Sequence, residues 1–212
     1  MALDLQLLPA FLAAALALNL TPGADMMFVT AQSLSGGRGA GLAAALGVGT
    51  GAVVHAGLAA LGLAALVAAE PLAFDVIRYA GAAYLIWIAI QMIRTPPQLS
   101  GSATAPRASL TRAYAQGLTT NLLNPKVIVF VLAFLPQFAN PAVGGIGPQI
   151  FVLGLMFGAS GTLVLIAVAM AGGGIRTQLA RHPLAGRIVA WISGTLIGGL
   201  AIGLLLAHRK AA

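Results

Sequence analysis

The chain has 212 residues, of which 59% are hydrophobic and only 7% are charged. A soluble domain of this length cannot bury so much apolar surface, so lipid must be the solvent for most of it. The net charge is +7, but no basic patch is interleaved with aromatic residues, so we expect no nucleic-acid partner. The absence of cysteine excludes disulfides and thiolate metal sites.

Long apolar runs rich in Ala, Leu and Gly dominate the sequence, and they lack the period-2 alternation of barrel strands. Only helices and closed barrels can span lipid, so the pattern predicts an all-α membrane protein, with residues 1–212 as one integral membrane domain. The N-terminus carries Asp4 and no basic segment, so we interpret it as part of the first span and not as a signal peptide.

Six runs reach the length of about 20 residues that a bilayer requires. A connection rich in Pro, Ser and Thr, Arg94–Arg112, divides them into repeat 1 (about 5–93) and repeat 2 (about 113–207). A short turn region, Gln137–Gly145, follows the fourth run. The predicted spans are Leu5–Leu34, Ala40–Ala68, Leu72–Ile93, Ala113–Pro136, Ile146–Ala171 and Arg187–Ala207.

The first span of each repeat contains a proline beside a charged residue. Span 1 breaks at Thr21-Pro22-Gly23, shortly before Asp25, and span 4 breaks at Asn124-Pro125, directly before Lys126. Three spans per repeat is an odd number, so the second repeat is predicted to be inverted relative to the first. Inverted repeats with broken helices that meet near the midplane are typical of secondary transporters.

Asp25 and Lys126 place opposite charges at membrane depth, where each costs about 2.5–3.5 kcal/mol on insertion scales. One interpretation is a structural salt bridge without a transport role. The other is a binding site, because ionisable residues inside a membrane are functional by default. The helix breaks beside both charges favour the site.

The breaks provide binding groups of their own. Thr21 is predicted to cap a half-helix that starts at Pro22, and Asn124 to cap one that starts at Pro125. Such N-termini suit a carboxylate. We therefore expect an amino acid whose carboxylate is held by Lys126 and a half-helix N-terminus.

The ammonium group of that amino acid is expected on Asp25. Asn19 and Asn121 lie one turn from the prolines, where they line the cavity or bond to freed carbonyls. A carboxylate in low dielectric binds a proton more readily, so Asp25 is also the candidate for proton coupling. His55 is either an interhelical hydrogen bonder or a proton relay.

Span 2 is rich in glycine, with the run Gly47-Val-Gly-Thr-Gly51. Small residues let helices approach closely in lipid, so we predict a packing surface. No GxxxxGK[ST] pattern or preceding strand indicates a nucleotide loop.

Arginines indicate the orientation. The connections after odd-numbered spans are rich in arginine, and by the positive-inside rule they are predicted to be cytoplasmic, with both termini outside. The basic tail at Arg209 and Lys210 argues against this orientation. The arginines in those connections are Arg38, Arg94, Arg107, Arg112, Arg176, Arg181 and Arg187.

At these motifs the chain resembles the LysE/RhtB family of bacterial amino-acid exporters, most closely its threonine and homoserine efflux branch. The family's Pro-Gly-Pro-Asp stretch reads here as Pro22-Gly23-Ala24-Asp25, so Ala24 replaces the second proline. The glycine pattern of Gly37–Gly41, Gly47 and Gly51 also matches, and so do Asn124-Pro125-Lys126, Phe130 and Pro136-Gln137-Phe138.

The resemblance covers nearly the whole chain. It implies a homodimer in the bacterial cytoplasmic (inner) membrane that exports small amino acids or their derivatives by proton antiport, without a cofactor.

The same residues argue against other classes of protein. A metal-ion or other solute transporter lacks support, because the core offers one acid, one lysine and no cysteine. An intramembrane enzyme would need a nucleophile–base pair or a metal cluster, which His55 alone does not supply. A passive channel fits poorly with a midplane lysine and broken inverted halves.

Overall fold

The computed structural model describes residues 3–69, 71–94, 109–171 and 183–206, and all of its regular elements in these ranges are helical. The prediction of an all-α protein is confirmed for this part of the chain. Most of the predicted connection Arg94–Arg112, residues 172–182 and residues 207–212 lie outside the described residues. The helices are α1 (Leu8–Leu20), α2 (Ala24–Ala69), α3 (Pro71–Arg94), α4 (Leu110–Leu122), α5 (Pro125–Val129), α6 (Ile146–Ala171) and α7 (Pro183–Leu206).

Helix α2 folds back on itself at Gly37, which has a φ of 82°. A Cβ added at Gly41 would collide with the Ser33 hydroxyl, although eight residues of straight helix would separate the two by about 12 Å. Val29 also packs in one cluster with Ala44. The first segment of α2 (residues 24–36) and the second (38–69) therefore form a helical hairpin.

The two proline breaks share a local geometry. Helix α1 ends where the amide of Thr21 donates to Leu18 O (3.2 Å), and α4 ends where the amide of Asn124 donates to Asn121 O (3.0 Å). Leu18 and Asn121 each lie four residues before the proline of their own break. Each chain then starts a new helix, at Ala24 and at Pro125.

Glycines bring the second segment of α2 into backbone contact with α4. A Cβ at Gly47 would collide with Tyr114 O, and one at Gly117 would collide with Ala44 O. The packing surface predicted at Gly47–Gly51 is confirmed, because close approach at these positions requires the absence of a side chain.

The same segment of α2 packs antiparallel to α6 through small residues. A Cβ at Gly154 would lie 2.6 Å from Ala56 Cβ, and one at Gly158 would lie 2.9 Å from Ala52 Cβ. Because the α6 position advances as the α2 position falls, the two helices run in opposite directions. Helices α3 and α7 pair beside this core.

After α5 the chain tightens through a π-helical segment, Phe130–Phe134, and a 3₁₀ turn, Leu135–Phe138. Its phenylalanine rings form a column with Phe157 of α6, stacked from Phe157 to Phe134 and tilted between Phe134 and Phe138. The ring centroids are 4.5 Å apart for Phe157 and Phe130, 5.1 Å for Phe130 and Phe134, and 5.2 Å for Phe134 and Phe138. Phe11 meets Phe138 edge-on at 5.5 Å.

A polar cluster closes the end of the molecule beyond this column. Asn140 Nδ2 donates to Asp4 Oδ2 (2.8 Å), and the fully buried Gln149 donates through Nε2 to Asn140 O and Gly144 O (2.9 Å each). The N-terminus and the turn after Phe138 therefore lie at one end. At the other end, a Cβ on Gly39 would lie 3.6 Å from Leu110 Cδ2, so the hairpin turn lies beside the start of α4.

Two stretches of described helix are long and apolar enough to cross a bilayer: residues 24–62 of α2, counted across the turn at Gly37, and all of α6. The pair Leu110–Leu122 and Pro125–Phe138, bent by 48°, would make a third span. Helix α6 has the bounds of the predicted fifth span. The count of six spans stays a prediction, because α1 and residues 190–206 are apolar but shorter.

The backbone contact between α2 and α4 can be tested by substitution. We expect Gly47→Ala and Gly117→Ala each to lower the free energy of unfolding by about 1–3 kcal/mol, since the added methyl group meets a carbonyl that cannot move away. Thermal unfolding of the purified protein in detergent measures this. Gly57→Ala is the matched control in α2, because its Cβ would meet nothing within 4 Å. A loss of stability in that control would contradict the explanation.

Candidate functional site

The two breaks meet at a cavity between α1, α2, α4 and α6. Its wall is polar on the side of the breaks and consists of apolar and small residues on the other side. The polar lining residues are Asn19, Thr21, Asp25, Asn121 and Lys126, with Thr162 from α6. The sequence predicted the first five, while Asn124 and the proline breaks lie just behind them.

Lys126 extends from the start of α5 across to the end of α1. Its ammonium group donates to Thr21 O (3.0 Å) and to Leu18 O (3.2 Å). These carbonyls are at the C-terminal end of α1, where a helix has unsatisfied acceptors and partial negative charge. The side chain therefore joins the two breaks and leaves one of its three N–H groups for another acceptor.

Gly23 makes room for this arrangement. A Cβ at Gly23 would lie 3.0 Å from Lys126 Nζ and 3.3 Å from its Cε. A larger residue at this position would push the ammonium group away from the carbonyls of α1. The Gly23 of the first break is thus fitted to the lysine of the second.

Asp25 lies in the first turn of α2 and faces the second break. Its Oδ2 accepts a hydrogen bond from Asn121 Nδ2 (2.8 Å), whereas its Oδ1 is buried without a hydrogen-bond partner. The Asn124 amide interacts with the carboxylate electrostatically, but Asn124 Nδ2 also lacks a partner at hydrogen-bonding distance. A buried, unpaired carboxylate oxygen is costly, so it is suited to accept a proton or a cationic group.

Asp25 and Lys126 do not form the direct ion pair that a purely structural role predicts. Their charges interact, but no N···O distance between them is within 4.0 Å, and the ion pair found within the described ranges joins Asp75 and Arg78. The lysine is held by carbonyls and the aspartate by an amide. Each charged group therefore keeps unused hydrogen-bonding capacity toward the same cavity.

One predicted cap is confirmed and one is wrong. Asn124 caps α5, since its Oδ1 accepts from the Lys126 amide (3.1 Å) with Pro125 as the first helical residue. Thr21 does not cap the half-helix after Pro22, because its hydroxyl donates back to Ala17 O (2.7 Å). The new helix starts at Ala24, where Gly23 O accepts the first bond.

The two asparagines before the breaks are placed differently. Asn121 is buried and holds Asp25, and a Cβ on Gly51 would lie 2.6 Å from Asn121 Oδ1. Asn19 joins α1 to α6, because its Nδ2 donates to Phe157 O (3.1 Å) and to Ser160 Oγ (3.0 Å). Both line the cavity and bond across helices.

His55 lies in α2 beside the end of α4. Its Nε2 is 3.3 Å from Asn121 O, so it bonds between helices as one of the two sequence interpretations expects. It also lies near enough to Asp25 for their charges to interact. Residues of α6, which the motifs did not indicate, complete the site; among them Phe157, Gly158 and Gly161 give no polar signal in the sequence.

The cavity has a volume of about 40 Å³. That volume holds a few waters, whereas ligand pockets usually measure about 300–1,000 Å³. An amino acid can enter only if the surrounding helices move apart. Within the described residues, no group of three or more His, Asp or Glu residues is placed to hold a metal ion.

Comparison with known proteins places the chain among membrane proteins. It is 34% identical to an uncharacterised membrane protein of Vibrio cholerae over 99% of this chain and 100% of that one. It is also 34% identical to a homoserine/homoserine lactone efflux protein of Salmonella typhimurium, over 87% of this chain and 83% of the relative. No solved structure matches the chain significantly.

A leucine efflux protein of Klebsiella pneumoniae is 29% identical over 91% of this chain and 90% of the relative. The family described as LysE type translocator matches residues 16–208, which include both breaks and all the residues around the cavity. The resemblance drawn from the sequence motifs is therefore confirmed. The chain belongs to the LysE family and is a membrane transporter, not an enzyme.

Proposed function

We propose that the protein is a secondary exporter of small amino acids or their derivatives, of the threonine and homoserine type, driven by proton antiport across the bacterial inner membrane. Relatives named for homoserine and for leucine efflux support an amino-acid substrate with a small or aliphatic side chain. The observation that carries the proposal is a pair of unsatisfied hydrogen-bonding groups in one cavity. They are the buried Oδ1 of Asp25, an acceptor, and the third N–H of Lys126, a donor.

These two groups match the two ends of an amino acid. The free carboxylate oxygen of Asp25 accepts from the substrate ammonium, and the Lys126 ammonium donates to the substrate carboxylate. The buried Nδ2 of Asn124 lies near the Asp25 carboxylate and is a further donor at this site. In a water-poor cavity these charged hydrogen bonds are each worth about 1.5–3 kcal/mol.

Proton coupling follows from competition for Asp25. A proton on its carboxylate removes the charge that binds the substrate ammonium, so protonation favours release and deprotonation favours loading. An inward proton gradient then drives outward transport, provided that loading faces the cytoplasm. The small cavity volume supports a closed state between loading and release.

The inverted repeat belongs to the same proposal. The helices before the two breaks end in turns of the same geometry. The antiparallel contact of α2 with α6 joins the corresponding helices of the two halves. Two such halves can rock about the site and open it to either side in turn. We also propose a homodimer, as the family resemblance implies.

Replacement of Asp25 tests substrate binding and coupling together. Asp25→Asn keeps the size of the side chain but removes its charge. We expect amino-acid efflux to fall about tenfold to a hundredfold, as the loss of one charged hydrogen bond implies. The assay is efflux from everted or reconstituted vesicles with an imposed pH gradient. Asp75→Asn in α3, away from the cavity, is the control; undiminished, gradient-driven efflux in Asp25→Asn would refute the coupling role.

Replacement of Lys126 tests recognition of the carboxylate. Lys126→Met keeps an apolar stem but leaves two carbonyls of α1 without their donor, so we expect lower stability as well as a loss of efflux of at least about tenfold. Cells loaded with a panel of amino acids report efflux, and the amount of folded protein is measured beside it. If no amino acid leaves faster with the wild type than without the protein, the proposed function fails.

The orientation can be tested because the natural sequence has no cysteine. We expect a membrane-impermeant maleimide to label Ala142→Cys in intact cells and Arg38→Cys only after lysis. Both positions are exposed, and they lie at opposite ends of the molecule. The reverse labelling pattern would show that the arginine-rich connections face outward.

A further inference from the structure

The C-terminal ends of the two broken helices are held in the same way by different bases. Leu18 O, at the end of α1, accepts from Lys126 Nζ at 3.2 Å. Asn121 O, at the corresponding place in α4, lies 3.3 Å from His55 Nε2. The sequence motifs identified Lys126 as a site residue, whereas the proposed function assigns no role to His55.

Asn121 lies between this histidine and the binding carboxylate. Its backbone carbonyl is bonded to His55, and its side-chain Nδ2 donates to Asp25 Oδ2 at 2.8 Å. A change of charge on His55 therefore acts on Asp25 through the electrostatic field and through the position of Asn121. Histidine is the side chain that ordinarily changes its charge between pH 5 and 8.

We propose that His55 is a positioning residue for proton coupling, whose protonation state sets when Asp25 holds the substrate ammonium. Protonated His55 is a donor to Asn121 O at the negative end of α4 and adds positive charge beside Asp25. Neutral His55 adds no charge there, and Asp25 is left to attract the substrate. Lys126 holds the other break through two carbonyls of α1, so the two breaks are held by different basic side chains.

Few other charged or titratable groups surround His55 in the elements that pack against it. Asp25 and Lys126 face the same site, and the Tyr114 hydroxyl of α4 bonds to Thr50 Oγ1 at 2.8 Å. Helix α6 contributes no titratable side chain, and the titratable residues of α3 are Asp75, Arg78, Tyr79, Tyr84 and Arg94. The groups at the site that can respond to pH are therefore His55, Asp25 and Lys126. This inference rests on the proposed function.

The first experiment compares His55→Gln with His55→Ala. Glutamine keeps an N–H donor for Asn121 O but does not titrate, whereas alanine removes both properties. Efflux of radiolabelled homoserine from proteoliposomes is measured at equal pH on both sides, from pH 5.5 to 8.5. We expect the rate of His55→Gln to change less across this range than the wild-type rate, because Asp25 still responds to pH in the variant but the imidazole is gone.

A wild-type pH profile in His55→Gln would overturn the inference and show that the histidine is only a hydrogen bonder. Failure of the wild-type protein to move homoserine or leucine would instead count against the proposed function.

A second experiment does not depend on transport. The chain has three histidines, so replacing His182 and His208 by glutamine leaves His55 as the single imidazole. Nitrogen NMR of the labelled ring in lipid nanodiscs then reports its protonation. We expect the ring to titrate between pH 5 and 8, and its titration curve to change in Asp25→Asn. A ring that keeps one protonation state over this range would overturn the inference even if His55→Gln proved inactive.

Discussion

The contact between the Lys126 ammonium and the last carbonyls of α1 is the interaction on which the rest of the site depends. A helix that ends inside a membrane leaves acceptors that lipid cannot satisfy. A lysine at the same depth would also be unfavourable on its own. The hydrogen bonds between the ammonium group and the carbonyls offset both costs, and they join the two broken helices. Gly23 leaves room for the contact, because a Cβ there would lie 3.0 Å from the ammonium nitrogen.

This contact also explains why Asp25 remains available. If Lys126 paired directly with the carboxylate, both charges would be satisfied and a substrate would have to break the pair. Because carbonyls hold the lysine and Asn121 holds the aspartate, the cavity contains two charged groups of opposite sign that are each partly engaged. An amphoteric solute is the natural complement of such a pair.

Much of the site could be predicted from the sequence, because the helix breaks and the cap depend on residues that are neighbours in the chain. A proline in an apolar run predicts a break, and an asparagine before it predicts a cap, which the structure bears out at Asn124. The prediction for Thr21 was wrong because a threonine hydroxyl can bond back to the carbonyl four residues earlier, an alternative of similar energy. The carbonyls that bind Lys126, and the bond of His55 to Asn121 O, depend on tertiary contacts that no local pattern encodes.

The column of phenylalanine rings makes the two ends of the molecule mechanically unequal. Toward the Asp4 end, opening the cavity must separate aromatic rings, whose pairwise contacts contribute about 0.5–1.5 kcal/mol each beyond their burial. Toward the Gly37 end, the packed cluster contains alanines such as Ala44 and Ala45 together with larger side chains such as Leu165. The two ends are therefore closed by different kinds of packing, ring contacts toward Asp4 and mainly aliphatic contacts toward Gly37.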